Sequence, residues 1–594
     1  MFYRIYRSCC YRGLRRPWSI RFAGGIGIVA VVAMMVMARP VQAGCDNFPT
    51  YEEITQQLFT YASTYPNLCQ VDVIGTSVAG RDLYRVRLSD HPEDVRQTPE
   101  IRIIGGIHGN ECQSVDEVMR IIDWLLTGYN SDEERQRFLS GIVFYLLPLV
   151  NPDGYSAEPV ATRVNANGVD LNRNFGFGFS ERNLFSPFSE PESRAIRDFS
   201  QQHAFVLGLS YHTEAGYVNG PWNYTPFHPR DDELIDTIGY DYAGNSDYDV
   251  VFGWDWYQIS GDVNDWSLGT MGTFDWTIEL TDSNDPVWDV HEPGLRAFFN
   301  WAFRGVQGDV VDAKSGEPIQ AMITVEPEGA PVFTHPVLGG YHRLLLDGEY
   351  EITAWAPGYH PLTIENVRVA NDMQTVDFGL SRDPAFSAAY QVTGTTLPRD
   401  ISNAYVDLVG YDNDTVASDA LGPPDGYGYS LSAGGTITVD MGSLQPVVDV
   451  PGMDLRIVSA TGSDDTVRVS VAEYQDGPFV EVAAGSGNLD MDVQYSGMTQ
   501  IRFVRITDET TGVNFNEAAS GYDLDAVVNL SDAILNGNAK TQTDDSASET
   551  DQSDTDSQSD AAQIPRVQAT TGAKEIYGCT MILGGASPSL LRLL

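Results

Sequence analysis

From residue 44 to about 303, short apolar runs alternate with stretches of helical spacing. The runs "IRIIGGI", "IVFYLLPLV", "FVLGLSYH" and "FDWTIEL" read as buried strands, and several end beside polar residues. "TYEEITQQLFTYASTYP" and "VDEVMRIIDWLLTGY" instead repeat their apolar residues at the spacing of one helix face. Strands that apolar need cover on both faces. The alternation therefore predicts an α/β domain, a mixed or largely parallel sheet with helices on both faces. Ligands of such sheets bind where strand ends meet loops.

At 594 residues the chain is too long for one core. From 304 to 381 the helical spacing vanishes, and short alternating strands with Gly/Asp turns predict a β-sandwich. A second all-β stretch, 390–530, predicts another sandwich. The whole is expected to be an α/β domain followed by two all-β sandwich domains. Residues 531–575 are acidic and polar and read as a disordered linker, and 576–594 turn apolar again. Residues 1–43 join an arginine-rich start to "AGGIGIVAVVAMMVMA" and a small-residue end, the pattern of a signal peptide cut after Ala43. Export permits disulfides, and Cys45–Cys69 is the expected pair, clipping the first helix to what precedes it. The net charge of −46, with Lys314, Lys540 and Lys574 the only lysines, argues against nucleic acid as a partner. It suits an extracellular, periplasmic or cell-surface protein.

Within "GGIHGNECQS", His108 and Glu111 stand three apart just after a buried strand. Zinc takes neutral imidazole and carboxylate, and a catalytic site uses three protein ligands with a fourth position left open. His212 in "LGLSYHTEAG" also follows an apolar strand, on what would be the same rim of the sheet. "RVNANGVDLNRNFG" supplies Arg163, Asp170, Asn172 and Arg173. Guanidinium groups pair with carboxylates and with developing oxyanions. Glu279 lies in the apolar run "FDWTIEL", where a carboxylate is costly unless paired or functional. Salt bridge and general base both stay open for it on these residues alone.

The order "HGNE", "NPDGY", "GVDLNRNF", "SEPESRA", "SYHT", "YQISGDVNDW" and "TIEL" resembles the zinc metallocarboxypeptidase family over roughly residues 50 to 303. The spacing from Arg163 to Asn172 is similar to that of the carboxypeptidase N/E-type branch, which lacks an inhibitory pro-domain. "GVQGDVVDAKSGEPIQAMITV" resembles the transthyretin-like domain that follows the catalytic domain in that branch, and "SDALGPPDGYGYSLSAGGTITVDMG" resembles the opening of galactose-binding-like jelly rolls. The resemblance implies one zinc per chain on His108, Glu111 and His212, with Asp170 bonded to the His108 ring. It implies that Arg163 stabilises the oxyanion and that Asn172, Arg173 and Tyr257 hold the substrate's terminal carboxylate. Glu279 would act as general base on zinc-activated water. The implied partners are C-termini of peptides or proteins. The 390–530 stretch leaves carbohydrate, a cell surface or plain stabilisation open as its role.

Relatives that release Lys or Arg place an acid in the specificity pocket. The matching positions here are Asn223 and Asn264, both neutral, so a preference for neutral C-terminal residues is expected, with Asp262 the nearby acid that could reverse it. Two other functions compete: a peptidoglycan-trimming or other amidase on the same scaffold, and a surface adhesion protein with a vestigial catalytic domain. The tail "YGCTMILGGASPSLLRLL" resembles bacterial C-terminal sorting signals, which are removed.

Overall fold

The computed structural model describes residues 45–91, 98–180, 185–244, 246–281, 287–327, 329–397, 417–426, 428–431, 434–443, 445–462, 465–509, 521–535 and 566–568. The expected signal peptide, most of the linker and the apolar tail lie outside these residues. Among those described, no helix is long and apolar enough to cross a membrane.

The first part is the expected α/β domain. Its strands are β1 (Cys69–Thr76), β2 (Asp82–Leu88), β3 (Glu100–Ile104), β4 (Val143–Leu147), β5 (Phe179–Ser180), β6 (Phe205–Thr213), β7 (Tyr217–Gly220), β8 (Asp249–Phe252) and β9 (Phe274–Leu280). All but β5 form one eight-stranded sheet in the order β1-β2-β4-β3-β6-β9-β7-β8. Pairing is parallel through β4, β3, β6 and β9, and antiparallel for β1 with β2, β2 with β4 and β7 with β9. Strands β3, β4 and β9 are buried along their whole length, as apolar runs covered on both faces must be. The helices are α1 (Tyr51–Thr64), α2 (Cys112–Gly128), α3 (Glu133–Gly141), α4 (Pro152–Tyr155), α5 (Pro191–Ser200), α6 (Asp232–Ala243), α7 (Gly253–Trp256), α8 (Val263–Met271) and α9 (Val287–Trp301). Helix α1 starts at a capping box in which Thr50 and Glu53 bond each other's backbone N–H, which fixes where it begins.

Beyond residue 304 strands dominate. Those between Gly305 and Leu380 fall into two sheets whose apolar faces meet in one core, with Val306 and Tyr341 from one and Ile323 and Ile352 from the other. Strands between Gln391 and Asn529 form two further sheets. Within the span read as linker, the helix Leu530–Leu535 continues the last strand, and Arg566–Gln568 pairs parallel with Leu362–Val369.

The third region reaches back to the first. The strand Gln391–Leu397 pairs parallel with β5, Thr396 beside Phe179 and Leu397 beside Ser180. Thr395 Oγ1 accepts the Gly178 N–H at 2.9 Å, and its own N–H donates to the Gly176 carbonyl at 2.9 Å. This seam runs along the chain that leaves Asn172 and Arg173, and sequence periodicity gives no sign of it.

The expected Cys45–Cys69 disulfide is not formed. Cys45 bonds Cys112, with Cα atoms 5.6 Å apart, and Cys69 is free. Cys69 opens β1 with its side chain in the core, 2% exposed, and burial pushes its thiol up to about 12. Cys112 instead opens α2 directly after Glu111. The bridge thus ties the start of the described chain to the loop that carries His108 and Glu111.

Candidate active site

Three strand ends meet at one rim. His108 and Glu111 sit on the loop after β3, His212 near the end of β6, and Glu279 near the end of β9. Parallel pairing sets His212 beside Glu279. The loop's shape follows from its small residues. A Cβ on Gly109 would lie 2.2 Å from the Gly154 carbonyl carbon, so "HGNE" fits against "NPDGY" only through glycine. Asn151 of "NPDGY" donates its side-chain amide to the carbonyls of Ile107 and Arg163, holding both loops. "SEPESRA" has a similar use: Glu190 and Glu192 accept from the Asn165 amide and fix the segment between Arg163 and Asp170.

His108 Nδ1 lies 2.7 Å from Glu111 Oε1, and His212 Nδ1 lies 3.0 Å from Glu111 Oε2. The two Nδ1 atoms are 3.1 Å apart. Asp170 Oδ1 faces His108 Nε2 at 3.1 Å and accepts its N–H, so the His108 Nδ1 lone pair faces inward. Lone pairs and a carboxylate converging this closely repel unless a cation lies among them. The donor set, two imidazoles and one carboxylate, is the type zinc prefers. Burial works to raise the Glu111 carboxyl, but when His108 and His212 are protonated their charge and N–H bonds outweigh it and hold it below the usual range. Burial likewise opposes ionisation of Asp170, and His108 and Arg163 override it.

Among the described residues two other groups of candidate ligands, Glu100–His203–His335 and Asp449–Asp454–Asp492, fit a metal less well. His335 Nδ1 accepts the N–H groups of Val337 and Leu338, which puts its proton on Nε2 and leaves no lone pair there. Asp454 and Asp492 already accept backbone N–H groups of Val450, Val493 and Gln494.

His108, Glu111, His212, Arg163, Asn172, Arg173, Tyr257, Asn223 and Glu279 all line one cavity of about 280 Å³. Arg163 Nε donates to Asp170 at 2.8 Å, and its Nη1 lies 3.5 Å from Glu111. Asn172 Oδ1 accepts the Val263 N–H at 3.1 Å, which leaves Nδ2 as the end of the amide for the cavity. Glu279 is 8% exposed, and burial pushes its carboxyl up to about 7 against the opposing pull of His212.

Asn264, expected in the pocket, does not line it. It lies in the first turn of α8, accepts from Thr277 Oγ1 and donates to the Asn219 carbonyl, one layer behind the wall. Asp262 does not line it either, because its carboxylate caps α8 through the Asn264 and Asp265 N–H groups. Burial raises the Asp262 and Asp265 carboxyls, and Asp262 pushes Asp265 further. Glu214, held at φ 104°, is the additional acid that lines the cavity. Sequence reasoning also missed Asn219 and Thr277. Thr277 stands two residues before Glu279 on the same strand face, so period-two reasoning could have found it. Asn219 is found through the β7–β9 pairing that places it opposite Thr277.

The zinc carboxypeptidase family model matches residues 54–299. This segment is a zinc carboxypeptidase domain, and the family's cofactor is zinc. Carboxypeptidase SOL1 of Arabidopsis thaliana is 27% identical over 355 residues, covering 56% of this chain and 72% of the relative. Carboxypeptidase D of Homo sapiens is 30% identical over 366 residues, covering 55% of this chain and 26% of the relative. The carboxypeptidase N catalytic chain of Mus musculus is 29% identical over 393 residues, covering 56% of this chain and 85% of the relative. The chain therefore spans about a quarter of the length of carboxypeptidase D.

Proposed function

We propose that the chain is an exported metallocarboxypeptidase that removes the C-terminal residue of peptides or proteins. One observation carries this reading: His108, Glu111 and His212 converge at one rim, with Glu279 and Arg163 on the same cavity. His108, Glu111 and His212 hold the zinc, which when bound supplies Lewis acidity toward the scissile carbonyl. Asn172, Arg173 and Tyr257 bind the terminal carboxylate and so select the last peptide bond. Glu279 takes the proton of the attacking water and returns it to the leaving amine. Arg163 faces the carbonyl oxygen as charge develops on it. The 304–381 segment is read as transthyretin-like and the 390–530 segment as a jelly-roll-like module. No specific observation favours an amidase or an adhesion protein over this reading.

The specificity side of the cavity is neutral at Asn219, Asn223 and Thr277. A Lys or Arg side chain there loses hydration without gaining a charge-assisted bond. Neutral C-terminal residues are thus expected to be released faster than Lys or Arg, as kcat/KM on peptides that differ at the last position alone. A preference of about tenfold or more for Lys or Arg would overturn this and point to Glu214.

A further inference from the structure

The substrate side of the cavity leans on a segment that the third region holds in place. Residues 176–180 follow the turn that carries Asn172 and Arg173 and end in β5. β5 is the edge strand of the third region's six-stranded sheet, not part of the eight-stranded sheet. The two backbones meet closely: a Cβ on Gly394 would lie 2.7 Å from the Gly176 carbonyl oxygen, a distance that only glycine permits. Thr395 is 3% exposed, its N–H donates to that same carbonyl, and its hydroxyl accepts the buried Gly178 N–H. On its other side the segment carries the cavity wall. The Phe175 N–H donates to the Gly261 carbonyl at 2.9 Å and the Ser180 N–H to Ser260 Oγ at 3.2 Å, just past Tyr257 and Ile259. Phe177 stacks on Trp222 with ring centres 5.4 Å apart and meets Tyr224 edge-on at 5.7 Å, the residues on either side of Asn223. The Ile259 N–H donates to the Asn223 carbonyl at 3.1 Å and joins the two parts of the wall. Asn223, Tyr257 and Ile259 all line the cavity. The metal side stands instead on β3, β6 and β9.

We propose that Thr395 is a positioning residue for substrate binding: it holds residues 176–180 so that the loops bearing Asn223, Tyr257 and Ile259 keep the shape that receives the substrate's last residue. The third region thereby forms part of the frame of the active site. The inference rests on the carboxypeptidase reading and adds a residue to it from outside the matched domain. Valine has the shape of threonine but offers no acceptor, and a buried N–H left without one is unfavourable enough to shift the backbone that carries it. A loss of this kind acts on the residues that bind substrate and spares those that hold the metal and move the proton. It is read as a higher KM with kcat kept.

The test uses the full chain loaded with zinc and the peptide from which the wild type releases its last residue fastest. Thr395→Val is expected to raise KM by about threefold or more while kcat stays within about twofold. Zinc affinity by equilibrium dialysis is expected to match the wild type. Thr395→Ser keeps the hydroxyl and is expected to return KM to within about twofold of the wild type. Asp476→Ala removes a separate contact between the same two regions, the pair of bonds from Arg197, and is expected to leave KM within about twofold. A folded Thr395→Val with unchanged KM overturns the inference. So does a rise in KM that Thr395→Ser shares or that Asp476→Ala reproduces, since either would mark general loosening. If Thr395→Val fails to fold, amide exchange in the wild type decides. Because coupling is reciprocal, saturation with the free amino acid that the enzyme releases is expected to slow exchange in residues 174–180 and 391–397 by about threefold or more. Equal exchange with and without it overturns the inference. Failure of the zinc-loaded wild type to release a residue from any peptide would instead overturn the carboxypeptidase reading and this inference with it.

Discussion

Glu279→Gln is expected to lower kcat by about 10²–10⁴-fold while leaving zinc bound. The amide is nearly isosteric with the carboxylate, and Glu279 sits in a strand buried along its length, so the substitution does not disturb packing. Glu279 is also outside the group of three that can hold a metal. What the amide cannot do is accept a proton. Loss of turnover with metal retained therefore separates a base from a ligand, and zinc analysis beside steady-state kinetics reads both. Turnover close to that of the wild type would mean that another group, Glu214 being the nearest candidate in the lining, is the base.

His212→Ala is expected to do the reverse and remove the metal. Loss of an outer hydrogen-bond partner such as Asp170 costs about 10–100-fold in metal affinity, and loss of a ligand should exceed that. Alanine leaves His108 Nδ1 and one carboxylate, too few donors for a catalytic zinc site. In the metal-free chain the same change removes the His212 ring's contacts with His108 at 3.1 Å and Glu111 at 3.0 Å and leaves the β6 backbone pairing in place. The fold is therefore expected to persist, with the circular dichroism of the metal-free variant matching that of the metal-free wild type. Zinc affinity by equilibrium dialysis checks the first part; binding as tight as in the wild type would remove His212 from the ligand set.

The metal side of the cavity was legible because each of its residues ends or directly follows a buried apolar strand, and parallel strands deliver those ends to one rim. His108, Glu111, His212 and Glu279 are all of this kind. The specificity side was half legible. Asn223 was placed in the wall, but Asn264 and Asp262 were misplaced, because the first turn of α8 directs both into caps and buried bonds that spacing alone does not reveal. Asn219 was missed because β7 joins the sheet antiparallel to β9, a pairing that no periodicity encodes. The disulfide failed for the same class of reason. Cys69 is nearer to Cys45 in sequence, yet a bridge depends on Cα separation and direction, and β1 points Cys69 into the core. The Thr395–Gly178 contact spans 217 residues and lies beyond any local signal.

The most direct measurement is metal content together with residue release on one purified sample of the full chain. One zinc per chain is expected, with single C-terminal residues released from peptides, release that stops on chelation and returns when zinc is restored. Undiminished release from a chain that holds no divalent metal would contradict the account.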